Sequence, residues 1–293
     1  MLDFLLSNIE QGLIYAPMVL GVYITYSILD FPDLSVDGTF PLGAAVTAVC
    51  VVSGVHPLLA ILLSIAAGAA AGFVTGALHV HLKITNLLCG ILTMTTLYSV
   101  NLHIMGKSNI PMLTKQTIFT FIPGLPPVFV ALVIVVVLKI ILDLYMTTFA
   151  GKSLLATGAN EQLVKTLAIN TGRLKITGLM LANGLAALSG SMMAQYQRFS
   201  DISMGTGTVV IGLASVIIGR AVFSRARFVQ GSTSVIFGSI IYKLAIGAAL
   251  KLGLPAEDMK IMTAVFFVLV IVLRNPAIYR KLSGVFRGGR SDA

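Results

Sequence analysis

A tripeptide that could help to bind a nucleotide phosphate occurs twice in this chain. Gly-Lys-Ser stands at Gly106–Ser108 and again at Gly151–Ser153. A P-loop also needs a glycine five positions before the glycine of this tripeptide, because its backbone must wrap around the phosphates. Asn101 and Met146 hold those positions, and neither tripeptide follows a predicted strand. The sequence therefore predicts no nucleotide site on this chain.

Other residue types that carry chemistry lack suitable partners. His79 and His81 are two positions apart, so their side chains diverge on a helix, and no third metal ligand stands nearby. Cys50 and Cys89 both stand in apolar runs, which favours small buried side chains over a disulfide. No Ser/His/Asp or Cys/His arrangement can be assembled with any specificity. We therefore predict no catalytic residue and no metal site.

Polar side chains inside apolar runs are more informative, because they are costly in lipid and tend to face a cavity. Lys243 lies about 22 Å along its run at 1.5 Å per residue. There it either reaches the outer interface or faces a cavity and meets an anionic group of a solute. The candidates for the wall of a solute path are Asp33, Ser35, Thr93, Thr96, Asn101, Asn183 and Lys243.

The composition explains why these polar residues stand in apolar surroundings. Of 293 residues, 57% are hydrophobic and 11% are charged, whereas soluble domains carry about 25% charged residues. The chain is therefore predicted to be an all-α polytopic membrane protein. Lys and Arg number 20 against 11 Asp and Glu, a net charge of +9. On a membrane protein this excess is typical of cytoplasmic loops, so no nucleic-acid partner is expected.

About nine transmembrane helices (eight to ten) are predicted from runs of about 20 mainly apolar residues. Residues 1–293 are expected to form a single transmembrane domain, with Met1–Glu10 lying at an interface. The predicted spans are Gln11–Leu29, Thr39–Val55, Pro57–Val80, Leu87–Met105, Pro126–Met146, Ile176–Tyr196, Thr208–Val222, Phe228–Leu252 and Met259–Leu273.

Basic residues determine the expected orientation. They collect in the loop 146–175, the turn Arg220–Arg227 and the tail 274–293. The positive-inside rule puts all three in the cytoplasm. The segment Asp30–Asp37 would lie on the same side, yet it carries three acids and no base. Either the span count is off by one near the N-terminus, or this segment is a broken, partly buried connection.

The polar loop 146–175 contains a short predicted helix. Asn160 is a good N-cap, Glu161 stands in the first turn, Lys165 follows it at i+4, and Gly172 predicts the end. The apolar face consists of Leu163, Leu167 and Ala168. Such a short helix is not stable alone. Its face must therefore pack either on the membrane domain of this chain or on another protein.

Glycines in one span repeat every fourth residue, at Gly68, Gly72 and Gly76. Small residues at this spacing let two helix backbones approach closely. Tight packing within one subunit is the favoured interpretation, ahead of a dedicated dimer face.

Several of these segments together resemble a known family. Ala156–Glu161, Ala168–Asn170 and Gly184–Ala186 are similar to the cytoplasmic loop and following helix of permease subunits of branched-chain amino acid and ribose ABC importers. Asp33–Val36 resembles a stretch after an early helix of that family. The likeness runs from about residue 11 to 273 and is closest to a subgroup associated with the uptake of amino acids, aromatic ones among them. The chain departs from the family pattern at Asp37, where a glycine is common, and lacks a clear extra N-terminal span.

The resemblance implies a cytoplasmic coupling helix at Asn160–Ala168 that docks on a separate ATPase subunit, which would hold ATP and Mg²⁺. It also implies a second permease copy in a homodimer, an extracytoplasmic substrate-binding protein and a location in a bacterial-type plasma (inner) membrane, with the C-terminus in the cytoplasm. No cofactor is expected on this chain. The residues expected at the ATPase contact are Gly158, Asn160, Glu161, Leu163, Val164, Lys165, Leu167 and Ala168.

The function predicted from the sequence is that of a non-enzymatic permease subunit of an ATP-driven importer of a small polar solute, most simply an amino acid. One alternative is a secondary transporter driven by an ion gradient. That class often has two related halves and intramembrane acids; no convincing internal repeat is evident, and Asp33 and Asp37 are the only candidate ion-binding acids. The other alternative is a membrane scaffold without transport activity.

Overall fold

A computed structural model describes residues 2–121, 124–223, 230–253, 255, 261–265 and 268. Almost all of the described chain is helical, with one short antiparallel pair of strands, β1 (Asn109–Pro111) and β2 (Phe199–Asp201). The helices are α1 (Leu2–Val22), α2 (Val36–Val52), α3 (Pro57–Leu82), α4 (Asn86–Met105), α5 (Pro127–Thr147), α6 (Phe149–Ala159), α7 (Glu161–Thr166), α8 (Thr171–Gln197), α9 (Thr208–Val222) and α10 (Gly231–Lys251).

Seven helical segments of the described chain are long and apolar enough to cross a membrane, and α2 is a shorter apolar helix of 17 residues. The chain is therefore a polytopic all-helical membrane protein, as predicted. The expected number of nine spans is not established, because the predicted span Met259–Leu273 lies largely outside the described residues. The tail 274–293 and residues 224–227 of the turn Arg220–Arg227 lie outside them as well.

The N-terminal segment differs from its prediction. α1 begins at Leu2 and continues through a π-helical segment, Tyr23–Ile28, so Met1–Glu10 does not form a separate interfacial piece. The polar side chain at its end, that of Glu10, has a partner on another helix of the bundle. Tyr196 of α8 donates a hydrogen bond to Glu10 over 2.8 Å, which removes the need to keep this turn at a water interface.

The long helix α8 is largely buried and packs against α1, α2 and α3. The glycine row of α3 faces it. A Cβ atom on Gly72 would lie 2.2 Å from the carbonyl oxygen of Leu179, and one on Gly68 would lie 2.5 Å from that of Asn183. Side chains at these positions would push the two backbones apart. The row is used for packing within the subunit, as favoured from the sequence.

The connection between α1 and α2 is the broken, buried segment that the sequence left as one of two alternatives. Phe31 is 1% exposed and Asp33 is 4% exposed. Asp33 accepts a hydrogen bond from Asn183, which is twelve residues (183 − 171) past the start of α8. The chain therefore leaves α1 at the end of the bundle where α8 begins, and turns back into the interior before α2 starts.

Two ends of the bundle can now be distinguished. At the α7 end, α6 packs on the π-helical segment of α1, and α7 connects it to the start of α8. At the β end, β1 pairs with β2, with Ile110 opposite Ser200. Gln195 near the end of α8 accepts a hydrogen bond from the backbone N–H of Ile118, which holds the loop after β1 there. The start of α1 lies near this β end, through the Glu10–Tyr196 bond.

Candidate functional site

The turn between α6 and α8 is built by two asparagine caps. The Asn160 side chain accepts from the N–H of Leu163 over 3.0 Å, as predicted, and that of Asn170 accepts from the N–H of Arg173 over 3.0 Å. The predicted stop at Gly172 is wrong, because α8 has already begun at Thr171. α7 ends instead at Thr166, just before Ala168 adopts a positive φ of 56°. α7 is thus a single short helix placed between two longer ones.

The two faces of α7 have different surroundings. Val164 is 1% exposed and packs onto the chain's own bundle, whereas Leu163 and Leu167 are 59% and 64% exposed. Ala168 is also exposed. The predicted apolar face therefore does not pack on the membrane domain of this chain, and Val164, which was not assigned to that face, anchors the helix there instead. Exposed apolar side chains grouped on an ordered helix are typical of a protein contact.

Glu161 holds α7 against the start of α8. Its Oε2 accepts from Lys175 over 2.8 Å, and its Oε1 accepts from Thr171 over 3.1 Å and from Lys165 over 3.0 Å. The Lys175 hydrogen bond lowers the pKa of the Glu161 carboxyl to about 2, the bonds from Lys165 and Thr171 add to this, and partial burial opposes it. Among the residues expected at the ATPase contact, Glu161 is therefore engaged within the chain.

Gly158 likewise contacts the chain itself. A Cβ atom there would lie 1.7 Å from the carbonyl oxygen of Ile28, so only glycine lets α6 lie this close to the π-helical segment. Leu154 of α6 is fully buried in the core beneath it. The tripeptide Gly151–Ser153 lies in the first turns of α6, where Thr148 caps the helix by accepting from the N–H of Gly151. α6 thus connects α7 to the π-helical segment that continues α1.

Three of the candidate path residues form one buried network. Asp33 accepts from the side chain of Asn183 over 2.9 Å and from the N–H of Ser35 over 2.8 Å. The amide oxygen of Asn183 accepts from the hydroxyls of Ser35 over 3.0 Å and of Thr39 over 2.7 Å. The network joins α8 to the first turn of α2. Thr39 was not among the sequence candidates; its position four residues after Ser35 could have suggested it.

The other candidates lie apart from that network. Thr93 is buried and accepts from the hydroxyl of Thr75 on α3 over 3.0 Å. Asn101 is fully buried, and its amide donates to the carbonyl oxygen of Gly38 over 3.1 Å. Thr96 is exposed. Lys243 is only 8% exposed, and its Nζ lies 4.0 Å from the centre of the Tyr15 ring, a cation–π contact inside the bundle rather than a position at the interface.

An exposed polar row on α4 is better placed to face a solute. Thr95, Ser99 and His103 recur every fourth residue, so they share one helix face, and all three are exposed together with Thr96. They line a shallow groove of about 620 Å³. Beside it, an apolar groove of about 590 Å³ separates α3 from α4. The recurrence of Thr95, Ser99 and His103 at every fourth residue is visible in the sequence and could have identified this row.

Metal-ligating side chains do not cluster in the part of the chain that the structure describes: no three His, Cys, Asp or Glu residues there are arranged to hold an ion. Among the described residues, the features that indicate a function are therefore the uncovered Leu163 and Leu167 at the α7 end and the polar row on α4.

Comparison with known proteins extends these observations. The family model described as "Branched-chain amino acid transport system / permease component" matches residues 4–274. A tyrosine transport system permease protein of Clostridioides difficile (strain R20291) is 47% identical over 271 residues, which cover 92% of this chain and 91% of that protein. A ribose import permease protein of Escherichia coli (strain K12) is 26% identical over 286 residues, covering 92% and 85% respectively. No solved structure matches the chain.

Proposed function

This chain belongs to the permease-component family of branched-chain amino acid transport systems, and from that membership we propose that it is the membrane-spanning subunit of an ATP-driven amino-acid importer. Members of the family are transport subunits rather than enzymes. ATP hydrolysis is assigned to a separate ATPase subunit that docks on α7. The observation that carries the proposal is the pair Leu163 and Leu167, which stays uncovered on a helix that Val164 and Glu161 hold to the bundle.

The relatives support an amino acid as the solute. The protein with 47% identity is named for tyrosine transport, whereas the one named for ribose import has 26% identity. We therefore assign an amino acid, with an aromatic amino acid as the first to test. The solute would be delivered by an extracytoplasmic binding protein.

Two contacts support a mechanical role for α7. Glu161 links it to Lys175 on the second turn of α8, and α6, which precedes it, lies against Ile28 through Gly158. A displacement of α7 by the ATPase therefore acts on α8 and α1 together. α8 also contacts α2 and α3 along its length. ATP binding and hydrolysis on the partner would in this way switch the solute path between outward-facing and inward-facing states.

The polar row of α4 supports a second copy of the chain as a partner. Polar groups on a membrane-spanning helix are costly against lipid, so Thr95, Ser99 and His103 are expected to face water or protein. We assign this face to a homodimer in which the solute passes between the two α4 helices. Thr96 is the candidate wall residue that lies on this face. The other six candidates make contacts inside the subunit and stabilise it: Asp33, Ser35, Thr93, Asn101, Asn183 and Lys243.

The orientation in the membrane follows from the assignment of α7 as the contact with the ATPase. The α7 end faces the cytoplasm, where the positive-inside rule also puts the tail 274–293. The β end, with β1, β2 and the start of α1, then faces outward and receives the binding protein. The membrane is the plasma (inner) membrane of a bacterial-type cell.

The test is whether a P-loop ATPase co-purifies with the chain from its native membranes. We expect the ATPase to co-purify and uptake of a radiolabelled aromatic amino acid to require ATP and the binding protein. Leu163→Glu should abolish both, while Leu113→Glu should leave ATPase co-purification intact, because Leu113 is 68% exposed in the loop after β1. A solute-dependent current from the purified chain alone, without ATPase, would contradict the proposal and indicate a secondary transporter.

A further inference from the structure

Two helices of this chain begin in the interior of the bundle and run in opposite directions. α2 starts beside Asn183 and proceeds toward the β end, where Thr47 bonds to Ser191 of α8. α9 starts at Thr208 and proceeds toward the α7 end, where Arg220 contacts Ser27. The α2 helix has 17 residues and α9 has 15, although the 3₁₀ turn Ile202–Gly205 before α9 brings that segment to 21 residues, enough for a full span. Because Asn183 lies near the middle of α8, the first turn of α2, and with it the start of α9, lies inside the bundle.

The two first turns are joined by the carboxylate of Asp37. Its Oδ1 accepts from the hydroxyl of Thr208 over 2.9 Å and from the N–H of Val209 over 2.8 Å. Its Oδ2 accepts from the N–H of Gly207 over 3.0 Å. The N–H groups at a helix start have no partner within the helix and carry partial positive charge, so a carboxylate binds them strongly. Asp37 itself lies in the first turn of α2, so one side chain serves both helix starts.

The opposite side of the first turn of α2 is held by α8. The Asn183 amide oxygen accepts from the hydroxyls of Ser35 and Thr39, two residues on either side of Asp37. The first turn of α2 therefore lies between α8, which follows α7 directly, and the start of α9. Among the described residues this gives a continuous hydrogen-bonded route from α8 through α2 to α9.

The segments that lead into α2 and α9 also resemble each other. Asp33–Val36 reads Asp-Leu-Ser-Val and Asp201–Met204 reads Asp-Ile-Ser-Met. In both, the aspartate Oδ1 accepts from the backbone N–H of the serine two residues later, over 2.8 Å. The same turn thus precedes two oppositely directed short helices, although four shared residues do not amount to an internal repeat.

We propose that Asp37 is a positioning residue of the transport cycle, which makes the short helices α2 and α9 move together when α8 is displaced from the α7 end. The proposal rests on the importer function proposed above. Without the Asp37 side chain, α9 keeps its contacts with α1 and α10, and Gly205 still packs against Pro41 of α2, but the three hydrogen bonds that fix the start of α9 to the first turn of α2 are lost. The ATPase would then move α2 and leave α9 behind, so ATP would be spent without solute transfer.

The experiment uses the full chain with its ATPase and binding protein in proteoliposomes. The variants are Asp37→Asn, which keeps one acceptor oxygen, and Asp37→Ala, which keeps none; Asp3→Asn, at an exposed position near the N-terminus, is the matched control. Thr208→Val, which removes a single donor, serves in place of Asp37→Ala if that variant does not fold. Three quantities are measured: hydrogen exchange at residues 207–209, solute molecules moved per ATP, and the ATP-driven change in distance between spin labels at Ser53 and Val222.

We expect ATPase co-purification to be unchanged in every variant. In Asp37→Ala, exchange at 207–209 should rise at least about tenfold, as the loss of charge-assisted hydrogen bonds predicts. The solute-per-ATP ratio should fall by a similar factor, the distance change should shrink, and Asp37→Asn should lie between. Faster exchange with a solute-per-ATP ratio like that of the wild type would overturn the proposal and leave Asp37 as a helix cap. Failure of the wild type to bind an ATPase would instead refute the importer function, and with it this role.

Discussion

Truncation of the two uncovered leucines tests the coupling contact most directly. Leu→Ala removes three carbon atoms, each worth about 0.8 kcal/mol when fully buried. Leu163 and Leu167 are 59% and 64% exposed in the free chain, so about 0.6 of that burial is left for a partner to complete. Each substitution should therefore weaken ATPase binding by roughly 1.4 kcal/mol, about tenfold, and the double variant by about a hundredfold.

The assay is a binding titration of the purified ATPase against the chain in nanodiscs, together with thermal unfolding of the chain alone. Unfolding should be unchanged in Leu163→Ala and Leu167→Ala, since neither side chain is buried in the bundle. Val164→Ala is the contrasting variant, because Val164 is 1% exposed and its truncation should destabilise α7 itself. Leu113→Ala, in the loop after β1, should leave ATPase affinity unchanged. A double variant that binds within twofold of the wild type and still supports uptake would refute the reasoning.

Two further predictions concern stability. The pKa of Glu161 is about 2 against an ordinary 4.5, so its bonds to Lys165 and Lys175 stabilise α7 fully above pH 4.5 and are lost as the pH falls toward 2. In the wild type, pepsin cleavage within α7, normalised to cleavage of a reference peptide, should therefore rise as the pH falls through this range. In Glu161→Gln the normalised cleavage should be high at every pH in the range. Gly72→Leu should destabilise the chain by about 3 kcal/mol or more, because the facing atom is backbone. The exposed Ala66→Leu on the same helix should change the unfolding temperature little; equal effects of the two would contradict the α3–α8 contact.

Features set by short-range chemistry were predictable from the sequence. The Asn160 cap, the grouping of Leu163 and Leu167 on one face of α7, and the glycine row of α3 each follow from spacing within a few residues. The end of α7 did not, because Ala168 takes a left-handed conformation that the sequence does not favour, and Gly172, which was expected to break the helix, is instead accommodated against Val80.

The candidate solute path shows where sequence reasoning stops. A polar residue in an apolar run must avoid lipid, but the sequence does not show whether it meets water or another polar side chain. Asp33 and Asn183 satisfy each other across 150 positions of sequence, a pairing that no local pattern contains. In the sequence, Asp37 is only a departure from the family pattern and a candidate ion-binding acid. Its hydrogen bonds to Gly207, Thr208 and Val209 join residues about 170 positions apart, so no local pattern contains them.

The uncovered leucines also bear on how much permease a cell can maintain. A chain made in excess of its ATPase would present Leu163 and Leu167 to the cytosol without a cover, a surface that favours self-association. We expect such orphan subunits to be removed by proteolysis, because degradation acts on whatever fraction remains unassembled. The abundance of the ATPase would then limit the abundance of the permease, and subunit stoichiometry would be maintained without any dedicated control of synthesis.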